Sequence, residues 1–186
     1  MKNLLTIMTL AFWMSPAFAG DKIQVYFSPN GGCTEAVVEQ LSKARSSACV
    51  QASSFTSAPI AKALLEAHRR GVKVSVILDK SQKTEKYSET DFLAHAGIPT
   101  SIDDKHAIAH NKIMILDGRI VLTGSFNFTT SAEEHNADNL LVIDDRDLAR
   151  KYLENWKLHQ AHSEPYAVRE EKSKGFWRSL FHHVFQ

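Results

Sequence analysis

The most constraining feature of this sequence is a pair of apolar runs, KIMIL and RIVLTG, that flank the dipeptide Asp117–Gly118. Asp-Gly between two such runs is a strong signal for a β-hairpin, because a two-residue type I′ turn needs positive φ at both central positions. This turn predicts that Lys112 faces Thr123 and that His110 faces Ser125. Since both runs are too apolar to lie in water, we expect a buried sheet around this hairpin.

The same pairing predicts that the polar side chains of the hairpin lie on one face. Directly opposed residues project from the same face of a sheet, and the side chains of a strand alternate between its faces. A buried cation without a partner is costly, so a polar face here indicates a functional site. Asp117 needs no such explanation, because Asp favours turns. The expected polar face carries His110, Lys112, Thr123, Ser125 and Asn127; the expected apolar face carries Ile113, Ile115, Ile120 and Leu122.

The rest of the chain alternates predicted strands with predicted helices. The strands IQVYF, CVQASSF and VKVSVILD are separated by helical patterns that begin near Thr34 and near Ser57. A long amphipathic helical pattern follows from Arg146, whereas residues 80–90 are polar and predict a surface loop. This order predicts an α/β fold with a mixed, mostly buried β-sheet flanked by helices on both faces.

Three regions are expected along the chain. Residues 1–19 combine one Lys, an apolar run and the pattern Ala17-Phe18-Ala19, which is typical of a signal peptide cleaved near Ala19. An uncleaved anchor is the alternative, but the apolar run is shorter than the roughly 20 residues of a membrane span. Residues 20–163 form the predicted globular domain. Residues 164–186 form a charged and then amphipathic tail, which suits a membrane surface, this domain or a partner chain.

The charge balance limits what the chain can bind. Without residues 1–19, whose one charged residue is Lys2, the chain has equal numbers of basic and acidic side chains. General nucleic-acid binders are usually strongly basic, because neutralisation of phosphates supplies much of their affinity. A site for a polyanion is therefore expected to be a local patch.

The signal peptide predicts a periplasmic or secreted protein, and such a compartment allows disulfides. Cys33 and Cys49 could then form one disulfide, or each could be a small buried residue. The sequence leaves both alternatives open. It contains no CxxC spacing that would indicate a zinc site.

The polar face of the hairpin suits a phosphate ester. His110 could attack phosphorus or take a proton, and Lys112 could neutralise non-bridging oxygens. Ser125 and Asn127 could donate hydrogen bonds to the same oxygens. No Asp or Glu cluster with metal-ligand spacing accompanies these residues, so neither a metal nor a cofactor is expected at this site.

These residues resemble the motifs of a known superfamily. HNKIMILDG is similar to the HxKxxxxD motif of the phospholipase D superfamily, and TGSFNFT is similar to the GSxN element that follows it. SFTSAPIAKAL and SAEEHNADNLLVI resemble segments of its small bacterial Nuc-type endonucleases. The resemblance spans about residues 22–160 and implies the phospholipase D/nuclease fold.

The resemblance implies a role for each motif residue. His110 would be the nucleophile that forms a phosphohistidine, and Lys112, Ser125 and Asn127 would hold phosphate. Glu133 resembles the acidic residue that orients the nucleophile, with Glu134 as the adjacent alternative. Asp117 belongs to the catalytic motif but would be mainly structural.

The chain has one copy of the motif, whereas larger members of the superfamily have two. A second His is needed to protonate the leaving oxygen and then to activate water. The resemblance therefore implies a homodimer in which His110 of each chain meets at the two-fold axis. His106 and His135 match no motif and are expected to be ordinary surface or core residues, although His106 is close enough in sequence to touch substrate.

Three functions are compatible with these features. The first is a metal-independent phosphodiesterase, most simply an endonuclease on DNA or RNA. The second is a phospholipase D that converts phosphatidylcholine-type lipids to phosphatidic acid, which the amphipathic tail would suit. The third is a non-catalytic binding protein that kept the fold, but the intact set of His110, Lys112, Ser125 and Asn127 speaks against it.

Overall fold

A computed structural model describes residues 22–85 and 88–167 of the chain. The predicted signal peptide and nearly all of the predicted tail lie outside these residues. Within them, no helix is both long and apolar enough to cross a membrane. The strands are β1 (Ile23–Phe27), β2 (Ser47–Ala52), β3 (Lys73–Asp79), β4 (Thr100–Asp103), β5 (Lys112–Leu116), β6 (Ile120–Gly124), β7 (Asn139–Asp144) and β8 (Glu164–Pro165).

The helices are α1 (Cys33–Lys43), α2 (Ala58–Arg69), α3 (Thr90–His95), α4 (Thr130–Glu134) and α5 (Arg146–His162). The predicted loop at residues 80–90 includes a 3₁₀ helix at Lys80–Lys83. The first helix is one correction to the sequence-based prediction. It begins after Gly32 rather than at a Thr34 cap, because Gly32 adopts the positive φ of 82° that favours glycine.

The eight strands form one sheet in the order β1-β7-β6-β5-β2-β3-β4-β8. β2, β3 and β4 are parallel to one another, and the other neighbours are antiparallel. The predicted mixed α/β sheet is therefore confirmed. Residues Glu164–Pro165, which the sequence assigned to the tail, pair with β4, so the sheet extends past the expected boundary at residue 163.

Helices cover both faces of the sheet. On one face α1 and α2 pack over the larger core, which includes Val37, Leu41 and Leu64. On the other face α5 packs over Ile113, Ile115 and Val121 through residues such as Ala149 and Trp156. Cys33 belongs to the first core and Cys49 packs against the second, and both cysteines are free thiols. Of the two alternatives for the cysteines, the structure shows the one without a disulfide.

The hairpin between β5 and β6 has a different register from the predicted one. Asp117 and Gly118 have the expected positive φ, but Leu116 pairs with Ile120, so Arg119 is an extra residue. The Arg119 guanidinium binds Asp144 at 2.5 Å, and the amide of Asp145 donates to the Arg119 carbonyl. These contacts with the end of β7 hold Arg119 outside the ladder, as in a β-bulge.

This shift changes which side chains share a face. Ile113 now faces Thr123, and Met114 faces Leu122. Leu122 consequently lies in the core under α1 and α2, and Ile120 packs against that core, so neither accompanies Ile113 and Ile115. The predicted polar face of the hairpin was wrong because a one-residue slip moves every side chain of a strand to the opposite face.

Candidate active site

The polar groups collect at one edge of the sheet, where β2, β3 and β4 end. Ser53 directly follows β2, and Asp79 and Asp103 are the last residues of β3 and β4. The carboxyl ends of parallel strands meet at the same edge, so these three residues lie at the ends of adjacent strands, at one end of the sheet. Residues 104–111, which connect β4 to β5, pass along the same edge and carry His110.

Lys112 is the buried cation of this site. Its side chain is 7% exposed, and its Nζ donates to Ser53 Oγ at 3.1 Å and to the His110 carbonyl at 2.8 Å. The Ser53 hydroxyl in turn donates to Asn127 Oδ1 at 3.1 Å. Burial lowers the pKa of Lys112, and the negative charge of Asp138 opposes this shift. Lys112 and Asn127 therefore meet through Ser53, a residue that the sequence analysis did not identify.

His110 lies beside this group but not on a strand. β5 begins at Lys112, so the predicted pairing of His110 with Ser125 does not form. The His110 residue is exposed, and among the described residues no side chain is hydrogen-bonded to its ring. An imidazole without a protein partner leaves a nitrogen lone pair available to attack phosphorus.

The segment that carries His110 is held at both neighbouring residues. The amide of Ala109 donates to Asp79 Oδ2 at 2.7 Å, and the Asn111 carbonyl accepts from the amide of Ser53 at 3.0 Å. Burial alone would raise the pKa of Asp79, but hydrogen bonds from Ser81 and Ala109 outweigh it and lower that pKa. Asp79 is a positioning residue that sequence reasoning missed, although its place at the end of a buried strand was a signal.

Ser125 lies next to the site but not in the Lys112 group. Its Oγ accepts from the backbone amide of Asn139 at 3.1 Å and from Asn139 Nδ2 at 3.3 Å. Gly124, the preceding residue, has φ of 150°, and a Cβ there would lie 2.2 Å from the Asn139 carbonyl oxygen. Only glycine allows β6 to approach β7 so closely. The Ser125 hydroxyl proton is left to donate to a ligand.

Glu133 binds the beginning of α1. Its Oε1 accepts from the amide of Gly32 at 3.2 Å, and its Oε2 accepts from the amide of Thr34 at 2.7 Å. A carboxylate at this position satisfies amides that the helix leaves unpaired and favours the helix dipole. The expected role of Glu133 in orienting His110 stays a prediction. Glu134, the alternative, is exposed and lies 3.7 Å from the exposed His135.

Two further groups define the electrostatics of this region. Asp138 Oδ2 is buried and has no hydrogen-bond partner among the described residues, and its charge acts on both Lys112 and Cys33. Burial, followed by the charges of Glu133, Asp138 and Glu35, raises the pKa of the Cys33 thiol to about 11. Cys33 therefore stays protonated and is not a nucleophile, because the thiolate is the reactive form.

Asp117 lies at the opposite end of β5, about 16 Å along the strand from Lys112. Its carboxylate accepts hydrogen bonds from the amides of Arg45, Ser46 and Ser47 and from the Ser46 hydroxyl. It thus fastens the hairpin turn to the loop between α1 and β2. These contacts give Asp117 a structural role at the turn, and the expectation that this is its main role stays a prediction.

His106 is not the isolated residue that the sequence suggested. Its ring lies against Asp103 and two histidines of α5, His159 and His162. The signal in the sequence was a pair of i, i+3 spacings, Asp103 with His106 and His159 with His162. His106 and His159 are 53 residues apart in the sequence, so only the fold brings the two pairs together.

The chain is similar to several known proteins. The family model described as "Cardiolipin synthase, PLD-like domain" matches residues 37–158. "Phospholipase D" of Rickettsia felis is 44% identical over 135 residues, which cover 73% of this chain and 68% of that protein. "Mitochondrial cardiolipin hydrolase" of Xenopus tropicalis is 35% identical over 103 residues, 55% of this chain and 49% of that protein.

Two solved structures share the whole fold. Nuc from Salmonella typhimurium, a phospholipase D family member, superposes with a TM-score of 0.75 at 37% identity, covering 77% of this chain and 97% of Nuc. NucT from Helicobacter pylori superposes with a TM-score of 0.72 at 25% identity, covering 78% of this chain and 99% of NucT. Both the family model and these relatives lead to one conclusion: the chain belongs to the phospholipase D superfamily and is one of its phosphodiesterases.

Proposed function

We propose that this phosphodiesterase is an endonuclease that hydrolyses DNA or RNA through a phosphohistidine at His110. The observation that carries the proposal is the position of Lys112 Nζ. It is held by Ser53 Oγ and by the backbone carbonyl of His110, a residue that is exposed and whose ring has no hydrogen-bond partner among the described residues. A fixed cation next to a free nucleophile suits a phosphate that is attacked while its negative charge is neutralised.

In the first step a ring nitrogen of His110 attacks phosphorus, and a new nitrogen–phosphorus bond replaces the bond to the leaving oxygen. Lys112, the Asn127 amide and the Ser125 hydroxyl donate to the non-bridging oxygens. The leaving oxygen takes a proton from a second histidine, the partner subunit's His110. In the second step that histidine removes a proton from water, which attacks phosphorus and releases His110.

An exposed apolar surface on β1 supports the dimer that this mechanism requires. Ile23, Val25 and Phe27 are 58%, 51% and 63% exposed and alternate along β1, so they share one face. Phe27 pairs with Asn139, which binds Ser125. One end of the apolar surface is therefore close to Ser125, and a second copy packed on it would bring two sites together.

Whole-length similarity supports nucleic acid as the substrate. The chain covers 97% of Nuc and 99% of NucT, and its motifs resemble those of the Nuc-type endonucleases. His110 lies on an exposed segment at the edge of the sheet, where an internal phosphodiester of a long chain can approach from the side. Lys112 supplies a local positive charge, although basic and acidic side chains are equal in number over residues 20–186.

A phospholipase D is the second candidate. Ile108 is 63% exposed and lies two residues before His110, which places an apolar side chain beside the nucleophile. The Rickettsia felis relative carries the name phospholipase D. An acyl chain or a membrane surface could contact Ile108 while a headgroup phosphate occupies the same site.

Substrate assays with purified protein test the proposal. The wild-type chain, His110→Ala and a control, His135→Asn, are each given single-stranded DNA, duplex DNA, RNA and phosphatidylcholine vesicles, with and without EDTA. We expect cleavage of nucleic acid by the wild type and the control but not by His110→Ala. A substrate labelled with ³²P at the phosphate tests for the covalent adduct. Because phosphohistidine is acid-labile, the adduct is sought under alkaline conditions. We expect it on the wild type and not on His110→Tyr.

The outcomes separate the candidates. Release of choline from vesicles with intact nucleic acid would make the protein a phospholipase D and refute the nuclease. Equal activity of His110→Ala and wild type would refute His110 as the nucleophile for either substrate.

A further inference from the structure

Four potential metal ligands meet at the carboxyl edge of the sheet, outside the group around Lys112. Asp103 is fully buried, and His159 Nδ1 lies 2.7 Å from its Oδ2. His106 Nδ1 lies 3.1 Å from both oxygens of Asp103, and His162 Nε2 lies 3.2 Å from Oδ2. The three imidazole centroids are 4.9 to 5.4 Å apart, and one donor atom from each of the four residues lies within 4.8 Å of the others.

We propose that Asp103, His106, His159 and His162 bind one Zn²⁺ ion. Zinc bonds to His nitrogen and Asp oxygen at about 2.0–2.2 Å, so the edges of a tetrahedral site measure roughly 3.3 Å. The carboxylate–imidazole distances of 2.7 to 3.2 Å are close to these edges. Small rotations of side chains that already converge would complete the coordination.

The His162 ring supplies an independent observation. Its Nε2 is buried and has no hydrogen-bond partner among the described residues, although it lies 3.2 Å from Asp103 Oδ2. A buried, unpaired imidazole nitrogen costs free energy unless something binds its lone pair. A metal ion between His162 and Asp103 would bind this nitrogen lone pair.

The donor set selects the kind of ion. Three imidazole nitrogens and one carboxylate favour Zn²⁺ and related transition metals. Mg²⁺ and Ca²⁺ prefer oxygen ligands and are expected to bind here far more weakly. Four protein ligands also complete a tetrahedron, which is typical of structural rather than catalytic zinc.

The ligands come from three separate parts of the fold. Asp103 ends β4, His106 lies in the segment 104–111, and the other two histidines lie at the end of α5. An ion bound here would fasten α5 and the sheet to the segment that carries His110 four residues after His106. The inference concerns stability of this segment, so it holds whether the substrate is nucleic acid or lipid.

Zinc binding is measured without any substrate. The purified full chain is stripped with a chelator, dialysed and titrated with Zn²⁺ in a calorimeter, and its melting temperature is recorded with and without excess ZnCl₂. We expect one Zn²⁺ per chain and a higher melting temperature with zinc, since a ligand that binds only the native state stabilises it. Mg²⁺ in place of Zn²⁺ should leave the melting temperature unchanged. In the wild type, Co²⁺ should give the intense visible absorption of a tetrahedral site.

Variants locate the site. Asp103→Asn, His159→Ala and His162→Ala should each weaken zinc binding at least about tenfold, because each removes a ligand. The exposed His135→Asn, outside the cluster, should bind zinc as the wild type does. Circular dichroism in EDTA shows whether each variant is folded, and the Co²⁺ spectrum of the wild type does not depend on any variant.

Substoichiometric zinc, or a wild type without the tetrahedral Co²⁺ spectrum, would overturn the proposal. Binding that survives in folded His159→Ala and His162→Ala would also overturn it, and the cluster would then be a hydrogen-bonded Asp–His network. Hydrolysis by His110 is scored separately, so failure of the zinc site and failure of the nuclease are distinguishable.

Discussion

At the scale of single residues, the site combines groups that the sequence revealed with groups that it could not reveal. Lys112 and Asn127 were predicted from the motifs, and the structure joins them. Ser53, which joins them, lies far from both in sequence, so only the pairing of β2 with β5 brings it there. Contacts that join distant segments are the part of a site that local patterns cannot predict.

Replacing Lys112 should lower the activity of the protein without lowering its stability. Lys112→Met keeps the length of the side chain but removes the charge. We expect kcat/KM on the preferred substrate to fall by roughly 10²–10³-fold, as when a group that stabilises transition-state charge is lost. The free energy of unfolding in urea should stay the same or rise by about 1 kcal/mol, because burial disfavours the charged form. Unchanged kcat/KM would contradict the role of Lys112 at phosphate.

Asp117 should contribute to stability in a pH-dependent way. Burial would raise the pKa of Asp117, but hydrogen bonds from Ser47, Ser46 and Arg45 outweigh it and lower that pKa. A carboxyl group whose pKa is lower in the folded state stabilises the fold at pH values above its pKa in the unfolded state. This contribution is lost as the pH falls through the pKa of the folded state. Asp117→Asn should therefore cost about 2 kcal/mol at neutral pH.

Urea unfolding of the wild type and Asp117→Asn at neutral and acidic pH measures this difference. It should shrink as pH falls below the ordinary Asp pKa of about 3.9. Asp147→Asn is the control, since the Asp147 side chain is 91% exposed. A difference that stays constant across this pH range would contradict the assigned contacts.

At the scale of elements, strand and helix positions were largely predictable, but the register of the central hairpin was not. The two apolar runs KIMIL and RIVLTG revealed β5 and β6, and Asp117–Gly118 revealed the turn. Arg119 is displaced by Asp144 and Asp145 at the end of β7, a contact that no local pattern contains. The register therefore depends on tertiary structure.

Gly124 should be sensitive to any side chain. Gly124→Ala places a Cβ 2.2 Å from the Asn139 carbonyl, whereas Gly118→Ala, also at positive φ, meets nothing within 4 Å. Both substitutions lower the free energy of unfolding because alanine is strained at a positive φ. Gly124→Ala must in addition push β6 away from β7. We expect it to cost at least about 2 kcal/mol more than Gly118→Ala in urea unfolding. An equal loss of unfolding free energy in the two variants would contradict this prediction, because it would show that β7 can move away from β6 without destabilising the fold.

At the scale of the whole molecule, the fold class followed from the alternation of elements, whereas the order of strands did not. β1 precedes α1 and β2 in sequence, yet it lies at the far edge beside β7. The resulting exposed surface of Ile23, Val25 and Phe27 is what we propose for the dimer.

Mixing subunits tests the dimer directly. If each reaction needs His110 of both chains, wild type exchanged with an equal amount of His110→Ala should keep about one quarter of the activity, because only wild-type pairs function. Independent subunits would keep about one half. Activity measured across a series of mixing ratios distinguishes a quadratic from a linear dependence.

A charged residue placed on the apolar surface of β1 tests whether this surface is the dimer interface. Phe27→Asp should convert the protein to a monomer in sedimentation velocity and abolish hydrolysis. Leu158→Asp alters a residue of α5 that is 68% exposed and should leave the dimer intact. A dimer that survives Phe27→Asp would place the interface elsewhere.

The pairing of β1 with β7 also determines when the chain can fold. Residues 23–27 hydrogen-bond to residues 139–144, so more than a hundred residues must emerge from the ribosome before β1 finds its partner. Contacts between such distant parts of a sequence slow folding and leave strand edges exposed meanwhile. β1 therefore remains an unpaired strand until β7 has been synthesised, and the sheet is completed only at that late point.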